Sequence, residues 1–389
     1  MDMDSPLIIG SVAENPFVED IAQHFGQVVD YSDLISLKSF LNREFCPRFI
    51  PNGDQLVKPG TRLTGKTVMA VSTSHISYSR DELAMRNCLL ARAAKDNGAA
   101  RFILLEPDLY YSAQDRGPRP EHGSLGSHRS LDDMKKFDGQ PYSTRLYADI
   151  LKSSGVDEVI TIHNHSESVK ALFLDRFDGA FHDLTPSDVY AGYIRESDIV
   201  NERNLVLCAP DSGAVKFTEE VSRELGMSTD GIIRMKKTRR NEREVSVEVS
   251  GESKVGLAGI KGKDVVVLDD MVRTGTTIVE CCRHLRLGNP RRVVFFVTHF
   301  HSSREGRINM NDMVIDEIVT TSTIPQILNR DVQGRLRHKL IVLRIARWIS
   351  NYVRLMLDPE TLPLGEPLYS EDMSSKNPRW RGKLGPLFS

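Results

Sequence analysis

The chain predicts an α/β protein made of two doubly wound, mainly parallel sheets. Short β-branched apolar runs alternate along it with amphipathic stretches of helical period, the pattern of successive β-α-β units. The alternation occurs twice, with the second set beginning near residue 185. At 389 residues there is enough chain for each set to bury its own core.

In the first set, "LIIGS" reads as a strand followed by a helix near residues 15 to 25. "TVMAVST" is the next strand, and its helix near 80 to 97 repeats Leu83, Met85, Leu89, Leu90 and Ala93 at roughly helical spacing. "RFILLEP" and "EVITIHN" are further strands, with "TRLYADILKSS" as the helix between them. In the second set the strands are "NLVLCAP", "DGIIRMK", "DVVVLDD", "RRVVFFVTH" and "EIVTTST". The expected domains are 1–184 and 185–335, followed by a helix over 336–357, within "HKLIVLRIARWISNYV", that folds back on the first domain. Residues 358–389, rich in proline and without a period, read as an extended tail or an oligomer arm. Residues 116–140 are polar and rich in Gly, Pro and Ser, and predict a long loop, functional or disordered.

Composition excludes several classes of function. A net charge of −2 gives no basic surface for nucleic acid. No apolar run approaches the ~18 residues of a membrane span, and "MDMDSPLIIG" has acids where a signal peptide needs cations, so a cytoplasmic protein is expected. Cys46, Cys88, Cys208, Cys281 and Cys282 have no metal-ligand spacing and read as free thiols. "GTRLTGKT", residues 60 to 67, fits the P-loop pattern G-x-x-x-x-G-K-[ST], but a strand follows it where a phosphate-binding helix is needed. It is a coincidental match.

The informative stretch is "VVVLDDMVRTGTT", residues 265 to 277. An apolar strand ends in Asp269 and Asp270, and a turn of Arg273, Thr274, Gly275, Thr276 and Thr277 opens a helix. Glycine permits close backbone approach, threonine hydroxyls donate, and a helix N-terminus favours an anion, so this is a phosphate site. Paired aspartates suit two ribose hydroxyls or a magnesium ion.

This stretch resembles the phosphoribosyl-binding loop of the type I phosphoribosyltransferase fold. From about residue 7 to 355 the chain resembles ribose-phosphate pyrophosphokinase. "GSVAENPFVEDIAQHFG" resembles that family's opening strand and helix, "RFIPNGD" its adenine-binding loop, and "YYSAQDR" its R-Q-D-[RK] segment. "VDEVITIHNHS" resembles the strand ending in a metal-binding histidine, "CAPDSGA" the S-P-D-x-G-[GA] turn, and "MKKTRRNEREV" the catalytic flexible loop. "FFVTHFHSS" and "TTSTIPQ" resemble two further strand ends.

The resemblance implies transfer of the β,γ-diphosphoryl group of ATP to the anomeric hydroxyl of ribose 5-phosphate, with Mg²⁺, releasing AMP. It implies metal binding by His165 and Asp211, and charge neutralisation by Lys236, Lys237 and Arg239 in the mobile loop, with Arg240 beside them. An ungapped match puts Met235 at the catalytic-lysine position, with Lys236 one residue on. Phe49, Asn52, Asp54, Gln114, Asp115 and Arg116 would contact ATP. Asp269 and Asp270 would hold the ribose, and Thr274 to Thr277 its 5-phosphate. The family's adenine site is completed by a neighbouring subunit, which implies a homo-oligomer, dimer or hexamer.

The chain departs from the pattern in several places. Ala113 stands where the family has arginine, His163 where it has aspartate, and the 116–140 segment is longer. Arg273 replaces an aspartate of the phosphate loop, adding two units of positive charge and a bidentate donor. It is either drift on the surface or a sign that the acceptor has a second phosphate, as ADP-ribose has, which would place the chain in NAD salvage. A non-catalytic regulatory subunit and a phosphoribosyltransferase using PRPP as donor are the other readings.

Overall fold

The computed structural model describes residues 5–50, 58–123, 128–239, 245–301 and 303–372, with the side chains of 238, 239, 245 and 246 outside the description. The chain divides into two compact units, Met1–Leu184 with Ala346–Leu364 and Thr185–Ile345 with Gly365–Ser389.

The first unit contains strands β1 (Leu7–Gly10), β2 (Ile35–Ser39), β3 (Phe45–Phe49), β4 (Thr67–Val71), β5 (Arg101–Leu105), β6 (Glu158–Ile162) and β7 (Phe181–Leu184). Its helices are α1 (Pro16–His24), α2 (Arg80–Asp96), α3 (Leu131–Lys135), α4 (Ser143–Ser154) and α5 (Glu167–Arg176). The main sheet runs β1-β4-β5-β6-β7, every pair parallel. Both of its faces are covered, so its strands read as unbroken apolar runs. Leu7, Ile9, Val68, Ala70, Phe102 and Leu104 join one buried cluster with α2, α4 and α5. The alternate residues Ile8, Met69, Ile103 and Ile160 are fully buried as well. Local signals set the helix ends. Ser79 and Glu82 form a reciprocal capping box at the start of α2, and Gly155, with φ of 100°, closes α4.

The second unit begins with α6 (Ser187–Glu196) and contains β8 (Leu205–Ala209), α7 (Val215–Glu224), β9 (Ile233–Arg239), β10 (Val245–Val249), β11 (Asp264–Val272) and α8 (Thr276–Arg286). After these come β12 (Arg292–Phe300), α9 (Arg304–Met310), β13 (Glu317–Thr321), α10 (Arg330–Gln333), β14 (Leu340–Arg344) and, beyond α11 (Ala346–Leu357), β15 (Ser370–Glu371). The sheet order is β10-β9-β8-β11-β12-β13-β14-β15. From β8 the chain goes outward to β9 and β10 and then returns to β11 on the other side of β8. The order therefore reverses between β8 and β11, and the crevice at the carboxyl ends of those two strands is where an open α/β sheet binds ligands.

Four sequence expectations need correction. The 336–357 segment is not one helix: "LIVLR" is β14, parallel to β13, and α11 begins at Ala346. A short run of large apolar residues suits a buried strand as well as a helix, and burial between neighbours chose the strand. The 116–140 loop contains α3, capped by the Ser130 side chain. The tail is not simply extended. Glu366–Pro367 is cis, and Ser370–Glu371 pairs antiparallel with β14, anchored by Tyr369 Oη donating to Glu196 Oε2 at 2.6 Å. The described part of the flexible loop is an antiparallel hairpin of β9 and β10. The hairpin of β2 and β3 was not expected from the sequence at all.

At the P-loop look-alike, Gly60 and Gly65 have positive φ in turns, and β4 starts at Thr67 directly after Lys66. No helix N-terminus is there to receive a phosphate.

Candidate active site

In the second unit, the strand ends at the switch point bring several of the candidate residues together. Asp269 and Asp270 are half-buried near the end of β11, and the Asp270 N–H donates to Asp269 Oδ1 at 3.0 Å. Burial pushes the Asp269 carboxyl well above the usual range, reinforced by the carboxylates of Asp270 and Asp211. Asp211 follows β8, and its Oδ1 accepts from the backbone N–H groups of Gly213 at 2.9 Å and Ala214 at 3.2 Å. Three acids drawn together in this way favour a cation or a set of hydroxyl donors.

Beyond β11, residues 273–275 turn into α8. Gly275 is its N-cap, with φ of 77°, and a Cβ there would stand 2.6 Å from Met310 Sδ. The turn is held from outside by α9: Ser303 Oγ donates to the Arg273 carbonyl at 2.9 Å, and Asn309 Nδ2 donates to that of Thr274 at 2.8 Å. Carbonyls fastened outward leave the first N–H groups of α8, together with the hydroxyls of Thr274, Thr276 and Thr277, for an anion. The Arg273 side chain is exposed and makes no hydrogen bond or ion pair among the described residues.

The hairpin puts the two lysines on opposite faces through strand periodicity. Met235 is 2% exposed, a core residue pointing into the second unit. Two residues on, on the same face of β9, Lys237 Nζ donates to Thr277 Oγ1 at 3.3 Å. Lys236 is in register with Glu248 on the opposite face. A cavity of about 540 Å³ is lined by Asp211, Ser212, Val215, Met235, Lys236 and Lys237. The Arg239 side chain and Arg240 lie outside the described residues.

In the first unit, Gln114 and Arg116 are exposed and Asp115 is half-buried, in a turn after β5. Thr144 Oγ1 of α4 lies 2.6 Å from the Tyr111 carbonyl and 2.8 Å from that of Gln114. Below the turn, Glu106 is fully buried and accepts from Tyr147 Oη at 2.6 Å, from Asn87 Nδ2 at 2.8 Å and from the Tyr110 N–H. Burial pushes its carboxyl up to about 8. His165 is exposed, one residue before Ser166, whose Oγ donates to Asp115 Oδ2 at 2.7 Å. The structure therefore joins the Gln114–Arg116 turn to the His165 turn.

Phe49 is not at a binding surface. It is 3% exposed and packed in the core of the first unit, because it closes β3 against α2. Asn52 and Asp54 lie outside the described residues. Sequence reasoning missed Glu106, Thr144, Ser166, Ser303 and Asn309. An acid directly after the fully apolar "FILL" was a visible sign of a buried polar network, whereas a lone serine or threonine on another element gives none.

Among the described residues no group of three or more His, Cys, Asp or Glu side chains converges as a metal site, and no helix is long and apolar enough to cross a membrane. His165 belongs to one unit and Asp211 to the other.

Comparison with known proteins gives this geometry its family. The phosphoribosyl transferase domain family matches residues 188–329, within the second unit. A crystal structure of phosphoribosylpyrophosphate synthetase from Mycobacterium smegmatis shares the fold, with a TM-score of 0.70 over 91% of this chain and 99% of that one, at 23% identity. The ribose-phosphate pyrophosphokinase of Haemophilus ducreyi is 24% identical over 314 residues, 80% of this chain and 87% of its own. That of Corynebacterium efficiens is 30% identical over 279 residues, 72% of this chain and 76% of its own. With the switch-point acids and the phosphate turn in place, the chain belongs to the ribose-phosphate pyrophosphokinase family, whose members are diphosphokinases.

Proposed function

We propose that the chain transfers the β,γ-diphosphoryl group of ATP to the anomeric hydroxyl of ribose 5-phosphate, forming PRPP and AMP. The observation that carries this reading is the convergence, in the second unit, of paired aspartates, a phosphate-binding helix N-terminus and a lysine at one switch point. In the transfer the anomeric oxygen attacks the β-phosphorus, the bond between that phosphorus and its bridging oxygen to the α-phosphate breaks, and AMP leaves with the oxygen. The proton of the anomeric hydroxyl passes to solvent water. Catalysis of this kind is positioning and charge neutralisation.

Asp269 and Asp270 orient the ribose by accepting from its hydroxyls, and the turn at Thr274–Thr277 anchors the 5-phosphate. Lys237 reaches Thr277 from the hairpin and brings positive charge to the site where the transferred group arrives. Asp211, with the acids of β11, would hold Mg²⁺ in the second unit. Burial and its two carboxylate neighbours raise the proton affinity of Asp269, so positive charge is favoured beside it, and an ion that keeps water and phosphate oxygens needs only one or two protein carboxylates. Bound there, the ion would supply charge neutralisation of the ATP phosphates. In this reading Gln114, Asp115 and Arg116 receive ATP, and the working form is a homo-oligomer.

A second reading has ADP-ribose as the acceptor. The unpartnered Arg273 side chain at the rim of the phosphate turn favours it, because a guanidinium there suits a second phosphate. Phosphorus NMR with mass spectrometry decides between them, using ATP and Mg²⁺ with ribose 5-phosphate in one tube and ADP-ribose in the other. AMP with a new anomeric diphosphate in the first tube alone supports PRPP synthesis. Product in the second alone supports the ADP-ribose reading. No AMP in either tube leaves a non-catalytic subunit.

A further inference from the structure

After the Gln114–Arg116 turn, residues 117–123 and 128–137 are folded around one arginine. The Arg129 side chain is only 6% exposed. Its Nη1 lies 2.6 Å from the carbonyls of Gly117 and His122 and 3.0 Å from that of Arg119, and its Nε donates to Asp133 Oδ2 at 2.8 Å. The His122 ring stacks on Tyr142 at 4.8 Å between centroids, which ties the segment to the start of α4. Two glycines permit the closure. A Cβ on Gly117 would lie 2.6 Å from His122 Nδ1. One on Gly123, whose φ is 79°, would lie 2.4 Å from the Asp115 carbonyl oxygen and 2.7 Å from Arg116 Cγ. The segment therefore packs directly against the backbone and stem of Arg116.

It also holds the Arg116 head. Asp133 Oδ1 accepts from Arg116 Nη1 at 3.2 Å, and Asp115 Oδ1 lies 3.6 Å from its Nε. The Phe137 ring is 5.1 Å from the guanidinium carbon. The side chain keeps 45% exposure, and its Nη2 has no partner among the described residues. Asp133 is itself fixed: its N–H donates to Ser130 Oγ at 3.1 Å and its second oxygen is taken by Arg129.

We propose that residues 117–123 and 128–137 form a positioning clamp in which Arg129 fixes Asp133, and Asp133 aims the free edge of the Arg116 guanidinium at the phosphates of the nucleotide co-substrate. This rests on the reading above that Arg116 receives ATP. The gain is preorganisation. An arginine already held on one edge and one face loses less freedom on meeting a phosphate than a free one does. Asp133 and Arg129 are positioning residues that touch no substrate.

The test is calorimetric binding to the full chain, with Mg²⁺, of α,β-methylene-ATP and of AMP. The analogue replaces the bridging oxygen between the α- and β-phosphates, so no transfer occurs. Arg116→Ala is expected to weaken the analogue about tenfold or more and AMP by less than about twofold, because the guanidinium meets the outer phosphates. Asp133→Asn is expected to weaken the analogue about three- to tenfold with AMP unchanged, and Asp133→Glu to recover most of the loss. In turnover, Asp133→Asn raises the KM for ATP and leaves kcat and the acceptor KM in place. Equal loss of both ligands in Asp133→Asn, tighter analogue binding in it, or no effect of Arg116→Ala would overturn the clamp. So would a parent chain that does not bind the analogue. Arg116-dependent binding without AMP formation from ATP and either acceptor would instead leave the clamp standing and sink the proposed reaction.

Discussion

The lysine that faces the phosphate turn shows how far single residues were legible. The sequence offered Lys236 and Lys237 side by side, and nothing in composition chooses between neighbours. The choice depends on the two-residue period of β9, which becomes visible only once Met235 is seen buried, with Val249 as its register partner on β10. Lys237→Ala is therefore expected to lower kcat about 10²- to 10³-fold, the scale for removing one charged group aimed at developing phosphate charge. Lys236→Ala, which removes a cation that lines the same cavity as Asp211 but lies on the face of β9 away from Thr277, should cost less, about tenfold or under. Steady-state rates of AMP release by the two variants check this, and the reverse ranking would move the role to Lys236. Asp269, Asp270 and the Thr274–Thr277 turn could be singled out together because they lie within nine consecutive residues, at the end of one strand and the start of one helix. Phe49 misled because a strand-end aromatic in a ligand loop and a strand-end aromatic in a core look identical in one dimension.

At the scale of elements, strands followed by helices were legible from period and caps, and so was β9, while the β2–β3 hairpin, β10 and β14 were not. Their apolar runs are short, and pairing with distant partners decided their conformation. The phosphate turn is the element on which function leans most, and its geometry depends on Gly275. An alanine there meets two costs: the positive φ of 77° and a Cβ 2.6 Å from Met310 Sδ. The backbone cost alone is about 1 kcal/mol, and overpacking adds about 1–3 kcal/mol. Gly262 separates the two, since its φ is 69° and nothing lies within 4 Å of a Cβ placed there. In urea unfolding, Gly262→Ala should lose about 1 kcal/mol and Gly275→Ala about 2–4 kcal/mol. Gly275→Ala should also raise the KM for the phosphorylated acceptor. Equal losses in the two variants would mean that α9 yields and that the turn is not rigidly backed.

For the whole molecule, the order of the chain and the order of the units differ. The first unit is completed only after the second has been traversed, because α11 belongs with residues 1–184. The sequence suggested a returning helix, but the start of that helix was hidden by the apolar continuity of "LIVLRIARW" across a strand and a helix. α11 buries Trp348, Ile349 and Val353. Tyr352 Oη meets His182 Nδ1 at 2.8 Å, and Arg354 Nη1 donates to the His24 carbonyl at 3.4 Å. It thus touches both α1 and β7, near the two ends of the unit's chain. Ile349, fully buried, is the place to test this dependence. Ile349→Ala is expected to cost about 2–5 kcal/mol, the range for truncating a large aliphatic side chain in a packed core. Hydrogen exchange followed by mass spectrometry should show the loss in peptides covering β1, α1 and β7, with β8, β11 and α8 as well protected as in the parent. Equal loss of protection in both sets would show that the two units unfold as one, and that a defect in α11 is felt at the phosphate turn through stability alone. Protection retained in the second set would instead mean that the switch-point strands keep their geometry while the Gln114–Arg116 turn loosens, and under the proposed function the KM for ATP would rise before that for the acceptor.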